Sequence, residues 1–278
     1  MVTDRRTGIL ALLGIVALVA ACAAPADTST PRSPVVPATG SAPPPPSTAA
    51  ATASPSPTAA PLPQGSDPLE LDPADFVATI DNPFWPMAIG NAWTYRETDA
   101  EGAEQKVEVT VTADTKEIEG ITATVVHDVV TEDGELVEDT LDWYAQDAAG
   151  NIWYLGEDTK EYEGGEVVST EGSWTAGVDG ALAGILLPAD PEVGMTYRQE
   201  YYAGEAEDAA EILSLDEHVE VPFGTYDGVL MTKDFTPLDP DVVEHKFYAR
   251  GVGPVQVFAV SGGSSREELI TFVSDGPP

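Results

Sequence analysis

An all-β fold is predicted for this chain, an antiparallel meander that forms a strongly curved sheet or incomplete barrel. Three observations predict it. The apolar residues recur with a period of two, as in "NAWTYRET" at 91–98 and "QKVEVTVTA" at 105–113, which places them on one face of an extended strand. Short turns rich in Gly, Asp and Pro separate these runs. Neighbouring runs are joined closely enough to pair as hairpins. A dozen such strands must curl around a core or stack in two layers, because a broad flat sheet would leave its apolar face in water. A two-layer sandwich is the second arrangement.

The elements follow in order. After the first two runs comes "GITATVVHDVVT" at 120–131, closed by Asp133-Gly134, a strong hairpin pair. "ELVEDTLDWYAQ" at 135–146 turns at "DAAGN" and returns as "IWYLGED" at 152–158. Later strands are read at 165–174, 195–204, 211–222, 228–237, 242–250, 253–262 and 266–274. Two stretches, Asp179 to Leu187 and Glu205 to Ile212, are read as short helices.

The N-terminal quarter is of another kind. Residues 1–21 have the parts of an export signal: Arg5 and Arg6, then the 12-residue apolar run Ile9–Ala20. That run is too short to span a bilayer, which needs about 20 residues. Val19-Ala20-Ala21-Cys22 resembles the bacterial lipobox, in which the cysteine is diacylated on sulfur and becomes the new N-terminus. Cys22 is the chain's one cysteine and the expected lipid attachment site. Residues 22–66 are then a lipidated cysteine and a Pro/Ala/Ser/Thr stalk, whose composition buries too little apolar surface to fold. Stretched as polyproline II it would reach about 140 Å. Residues 67–278 form the expected extracytoplasmic domain.

Charge narrows the partners. From Asp67 onward the chain has 46 acidic residues against nine basic ones. Phosphate backbones are repelled, so nucleic acid is not an expected partner. Acidic lipid headgroups are repelled too, which leaves the acyl anchor as the membrane contact. Self-repulsion favours a monomer. A small-molecule, glycan or protein ligand stays open.

Candidate chemistry is sparse. His127, His218 and His245 lie on separate strands with no metal-ligand spacing between any two. They are read as solvent-face residues whose pKa values the acidic field raises. No Gly-x-Ser-x-Gly elbow is present. The acidic turns at 131–139 and 156–166 supply Asp133, Glu135, Glu157 and Asp158 as candidate calcium ligands, though neither has EF-hand spacing. The preferred reading is a solvated acidic surface, with no cofactor. Among aromatics, Trp143-Tyr144 and Trp153-Tyr154 lie on two arms of one hairpin. Alternation sends one pair to the core and the other outward, with Trp143 opposite Trp153 or Tyr154. Trp174, set among Gly, Ser and Thr, reads as a loop or rim residue. Trp143, Trp153 and Trp174 are the candidate binding residues.

Four segments carry a resemblance. "NPFWPMAIGNAWTYR" at 82–96, "YAQDAAGNIWYLGEDT" at 144–159, "VPFGTYDGVLMT" at 221–232 and "KFYARGVGPVQV" at 246–257 resemble, in the same order, segments of uncharacterised secreted bacterial lipoproteins. The resemblance implies a β-rich extracytoplasmic domain and no catalytic residue. The functional expectation is a cell-envelope lipoprotein that binds rather than catalyses. The alternatives are an envelope hydrolase using paired carboxylates and a calcium-stabilised wall protein.

Overall fold

The computed structural model describes residues 62–274. The signal segment, Cys22 and nearly all of the stalk lie outside the described residues. Residues 62–66, on the stalk side of the boundary expected at 67, are among the described residues. Residues 62–67 are tied into the domain: the Arg198 amide donates to the Pro63 carbonyl at 2.8 Å.

Sixteen strands form one antiparallel sheet. They are β1 (Phe76–Val77), β2 (Ala92–Thr98), β3 (Glu104–Ile118), β4 (Ile121–Glu132), β5 (Glu135–Asp147), β6 (Ile152–Glu163), β7 (Glu166–Ser169) and β8 (Trp174–Thr175), then β9 (Leu182–Leu187), β10 (Thr196–Arg198), β11 (Glu200–Tyr201), β12 (Ala209–Val221), β13 (Gly224–Phe235), β14 (Val243–Ala249), β15 (Gly253–Ser261) and β16 (Arg266–Val273). The main path runs β10-β12-β13-β14-β15-β16-β2-β3-β4-β5-β6-β9-β11. Eight of the twelve steps join consecutive strands as hairpins. Of the other four, β16 beside β2 pairs the last strand with one near the start of the described residues and curls the meander round.

The two ends of the path, β10 and β11, are neighbours in sequence, separated by Gln199 alone. One extended segment therefore pairs with β12 on one side and β9 on the other. The result is a nearly closed barrel with a single seam. Gly184 on β9 lies against the Gln199 carbonyl, so close that a Cβ there would collide with backbone. Only glycine lets the seam draw together at that point. Arg198, almost fully buried, fastens it. Its guanidinium donates to the Ala183 carbonyl at 2.8 and 3.1 Å, and to the carbonyls of Gly65 and Asp67 at 2.6 and 2.9 Å.

The Asn-Pro-Phe-Trp-Pro segment explains itself in this frame. Trp85 contacts Trp93 on β2, Tyr144 on β5 and Tyr248 on β14, with ring centroids 6.0 to 6.3 Å apart. A ring that touches strands so far apart in the sheet order is a plug inside a closed wall. Such aromatic contacts contribute about 0.5 to 1.5 kcal/mol each beyond the area they bury. Asn82 holds the plug's base, donating to the carbonyls of Gly150 and Pro188.

Both expected helices are absent. Residues 182–187 are β9, and 209–212 begin β12. Small residues such as Ala181, Ala183 and Ala210 suit a helix locally, but here they are buried in the seam, where strand pairing outweighs propensity. The Asp133-Gly134 hairpin is as expected, with φ of 53° and 85°.

Candidate functional site

The inward face of the barrel is not simply apolar. Period-two alternation puts Glu97 in phase with Trp93 and Tyr95 on β2, Asp128 with Val126 and Val130 on β4, and Glu267 with Leu269 on β16. All of these are buried. Glu138 and Asp142 on β5, Glu157 on β6, Glu200 on β11, Asp208, Asp234 on β13 and Glu244 on β14 complete ten buried carboxyl groups. One buried ammonium, Lys246 on β14, stands among them, 3.1 Å from Asp234. Arg198 is the other buried cation among the described residues, and its bonds go to carbonyls.

These groups form a network. The Tyr154 hydroxyl bridges Asp142 at 2.7 Å and Glu157 at 2.9 Å. Thr140 donates to Glu138, and Thr232 to Asp234. Glu200 and Asp208 influence each other, and the Asp208 carboxyl helps raise the Glu200 pKa. Oxygens of Glu97, Asp128, Glu138 and Glu267 are buried without a hydrogen-bond partner. Ten carboxylates and one ammonium could not remain charged in such an interior, since each isolated buried charge costs several kcal/mol. Burial pushes Glu97, Glu138, Asp142 and Asp208 up to about 7. Burial, followed by neighbouring carboxylates, drives Asp128, Glu200 and Glu267 well above the usual range. Burial thus favours the protonated form of these carboxyls.

One end of this network reaches the surface. Gly156 on β6 has φ of 131° and is the extra residue of a bulge: Asp142 and Tyr144 on β5 face Glu157 and Tyr154 on β6, two residues apart against three. The bulge turns Glu157 inward. It also clears space for β8, which pairs with Gly156 and Glu157 through Thr175 and Trp174. A Cβ on Gly156 would collide with the Trp174 carbonyl. Where β8 crosses β6, a cavity of about 360 Å³ opens. Trp143, Trp174, Lys116, Glu157 and Asp158 line it, with Asp179 and Tyr202 nearby on its wall. That volume lies within the range of small-molecule sites, about 300 to 1,000 Å³. The Lys116 ammonium sits 2.9 Å from the centre of the Trp143 ring. The Trp174 indole N–H donates to Glu200 at 2.7 Å, tying the pocket floor to the carboxyl network.

Of the three candidate tryptophans, the fold brings Trp143 and Trp174 into this one cavity and leaves Trp153 out. Trp153 packs edge-on against Phe76, with centroids 6.3 Å apart, and its N–H donates to Asp147 at 2.9 Å. Alternation does put Tyr144 and Tyr154 on one face, where their rings stack 4.9 Å apart, and Trp143 and Trp153 on the other, but all four are buried. The β1 region covers Trp153, and the pocket walls enclose Trp143. Trp143 does not face Trp153 or Tyr154, because the turn register sets Tyr144 opposite Tyr154 and Ala145 opposite Trp153. Trp174 is a buried strand residue rather than a rim residue.

The acidic candidates divide likewise. Glu157 and Asp158 line the cavity, while Asp133 and Glu135 lie at the β4–β5 turn. Asp158 pairs with Leu141, six residues along β5 from Glu135, or roughly 20 Å. The four do not converge. Among the described residues no group of three or more His, Cys, Asp or Glu has metal-holding geometry. His127 meets Asp139 at 3.1 Å and His218 meets Asp227 at 2.6 Å. His245 is half-buried beside Phe258, and burial lowers its pKa, against the rise expected from the acidic field.

Neither a family profile nor a curated protein matches the chain. Among solved structures it is similar to a candidate lipoprotein from Parabacteroides distasonis, at 12% identity and a TM-score of 0.39, covering 69% of this chain and 99% of that one. The fold described above stands on its own strand pairing.

Proposed function

We propose that this protein is a lipid-anchored binding protein of the cell envelope, held on the outer face of the membrane through Cys22, which takes a small ligand in the Trp143–Trp174 pocket and does not catalyse. One observation carries the binding reading: two indoles and a few polar groups converge in a single cavity of ligand size. Such a mixture of aromatic faces and sparse polar groups is how small-molecule sites obtain affinity and orientation. The anchor reading is supported by the signal segment and Val19-Ala20-Ala21-Cys22. Two acyl chains hold firmly where one is marginal.

Native mass spectrometry of the detergent-solubilised protein from its own host tests the pocket. A retained small molecule, lost in Trp143→Ala, is expected. A preparation free of ligand that also ignores a broad metabolite panel would count against it. For the anchor, Cys22→Ala is expected to leave the membrane fraction or stay unprocessed. Processing and membrane fractionation like the parent would end that reading.

A second reading has a specific observation behind it. Glu157 and Asp158 share the cavity, and burial, then Asp142, raises the Glu157 pKa well above the carboxylate range. Two carboxyl groups in one cleft, one of them desolvated, are what glycoside hydrolysis uses. Release of a chromophore from aryl glycosides, abolished in Glu157→Gln, would favour a hydrolase over a binding protein.

A further inference from the structure

We propose that the pocket at Trp143 and Trp174 is built for a ligand carrying an organic ammonium group, which takes the place of the Lys116 ammonium on the face of Trp143 and rests against Glu157. This deepens the binding reading and depends on it.

The Trp143 ring already holds a cation. Lys116 Nζ lies 2.9 Å from its centroid, and a cation over an indole face is attracted by the ring quadrupole. That ammonium is an internal stand-in. It reaches the ring from β3 on a flexible four-carbon stem, and burial lowers its pKa while Asp158 works the other way. A ligand ammonium can do what Lys116 does without the constraint of the stem. Charge points the same way. Lys116 is the one basic group lining the cavity, against Glu157, Asp158 and Asp179. An anionic ligand is repelled there. Trp174 has its N–H committed to Glu200, so it offers the ligand an apolar ring and no donor. Lacking that donor, the floor suits the methyl or methylene shell of an alkylammonium.

Glu157 makes the proposal sensitive to pH in a defined direction. Facing it are Asp142 and Glu138 from β5, Glu200 from β11, and Tyr154 and Thr159 from its own strand. On the pocket side are Lys116, Asp158, Asp179 and Tyr202. Burial and then Asp142 favour a proton on Glu157. An arriving cation favours the carboxylate, so binding expels the proton. Affinity then rises with pH, by up to about tenfold per unit where one proton is released.

The test titrates the detergent-solubilised full chain, following tryptophan fluorescence, with three probes: choline, its neutral isostere 3,3-dimethylbutan-1-ol, and cellobiose. Expected is choline binding at least about tenfold tighter than the isostere at pH 8, with the gap narrowing at pH 5.5. Lys116→Met removes the competing ammonium and is expected to tighten choline binding. Glu157→Gln is expected to flatten the pH dependence. Lys116 is partly exposed, so its variant keeps the test open if Glu157→Gln fails to fold. Equal binding of choline and isostere overturns the ammonium proposal and leaves the pocket standing. Cellobiose binding that Trp143→Ala abolishes, without choline binding, does the same in favour of a glycan. If no probe binds, or Trp143→Ala changes nothing, the pocket reading falls with it.

Discussion

The barrel buries two cations and uses them in opposite ways. Arg198 spends its charge on neutral acceptors: its donors meet the carbonyls of Ala183, Gly65 and Asp67, and none meets a carboxylate. Lys246 stands among acids, bonded to Asp234 and in the field of Glu244 and Asp208. Burial alone would lower the Lys246 pKa, but those carboxylates outweigh it and raise it. The guanidinium is a planar fork that can hold several carbonyls at fixed angles, so it suits a backbone seam. The ammonium is a compact charge that suits a site where several acids share one counter-ion. The contacts of Arg198 should therefore be indifferent to pH, and the carboxyl network should not.

The largest effect is expected at the seam. Arg198→Met removes four hydrogen bonds from a charged donor, and the two to the buried Ala183 carbonyl are worth about 1.5 to 3 kcal/mol each. A loss of about 3 to 6 kcal/mol in urea unfolding is expected, equal at pH 5 and pH 8. A loss below about 1 kcal/mol would mean the strand pairing alone closes the barrel.

Lys246→Met is the matching experiment inside the network. Removing one partner of a buried ion pair costs about 3 to 5 kcal/mol. Here the cost is expected at pH 8 and reduced at pH 5, where Glu244 and Asp208, whose pKa values burial raises, can take up a proton in place of the ammonium. Equal losses at both pH values would erase the contrast with Arg198.

The parent protein should itself be more stable in acid. Glu97, Glu138, Asp142 and Asp208 have folded pKa values pushed up to about 7 by burial. A raised carboxyl binds its proton more tightly in the folded state. Its stabilisation is full below the unfolded pKa of about 4 and is lost as pH rises through about 7. Each extra proton held contributes about 1.4 kcal/mol per pH unit across that window. A Tm at least about 5 °C lower at pH 8 than at pH 5 is expected by calorimetry. A Tm that rises over this range would show the network to be charged and otherwise neutralised.

The smallest effect separates the interior from the acidic surface, whose repulsion also weakens in acid. Glu97→Gln removes one interior charge and leaves the surface untouched. It should stabilise by about 1 kcal/mol at pH 8 and change little at pH 5. A destabilisation at both pH values would assign Glu97 a hydrogen-bonding role, through Ser265, that outweighs its charge.

Part of the network was legible. Glu97 keeps step with Trp93 and Tyr95, Asp128 with Val126 and Val130, and Glu267 with Leu269. Charged residues in phase with the apolar face are a visible irregularity in a period-two pattern, yet the abundance of acid makes each look like surface. Glu157 was not legible as an inward group, because the bulge at Gly156 breaks the phase that would have placed it.

What the sequence determined by itself is local. Alternation and turn pairs set the strands and their hairpin order, as at Asp133-Gly134. The tertiary structure decided which faces were covered, where the barrel closed, and which residues met. Trp143 and Trp174 lie 31 positions apart and share a cavity because β8 folds back over the bulge in β6. Leu182 and Ala183 became strand-seam residues rather than helix because pairing across β9 and β11 satisfied backbone groups that a short helix would leave open. A period of two names the two faces of a strand, but whether a face meets water depends on partners distant in the chain.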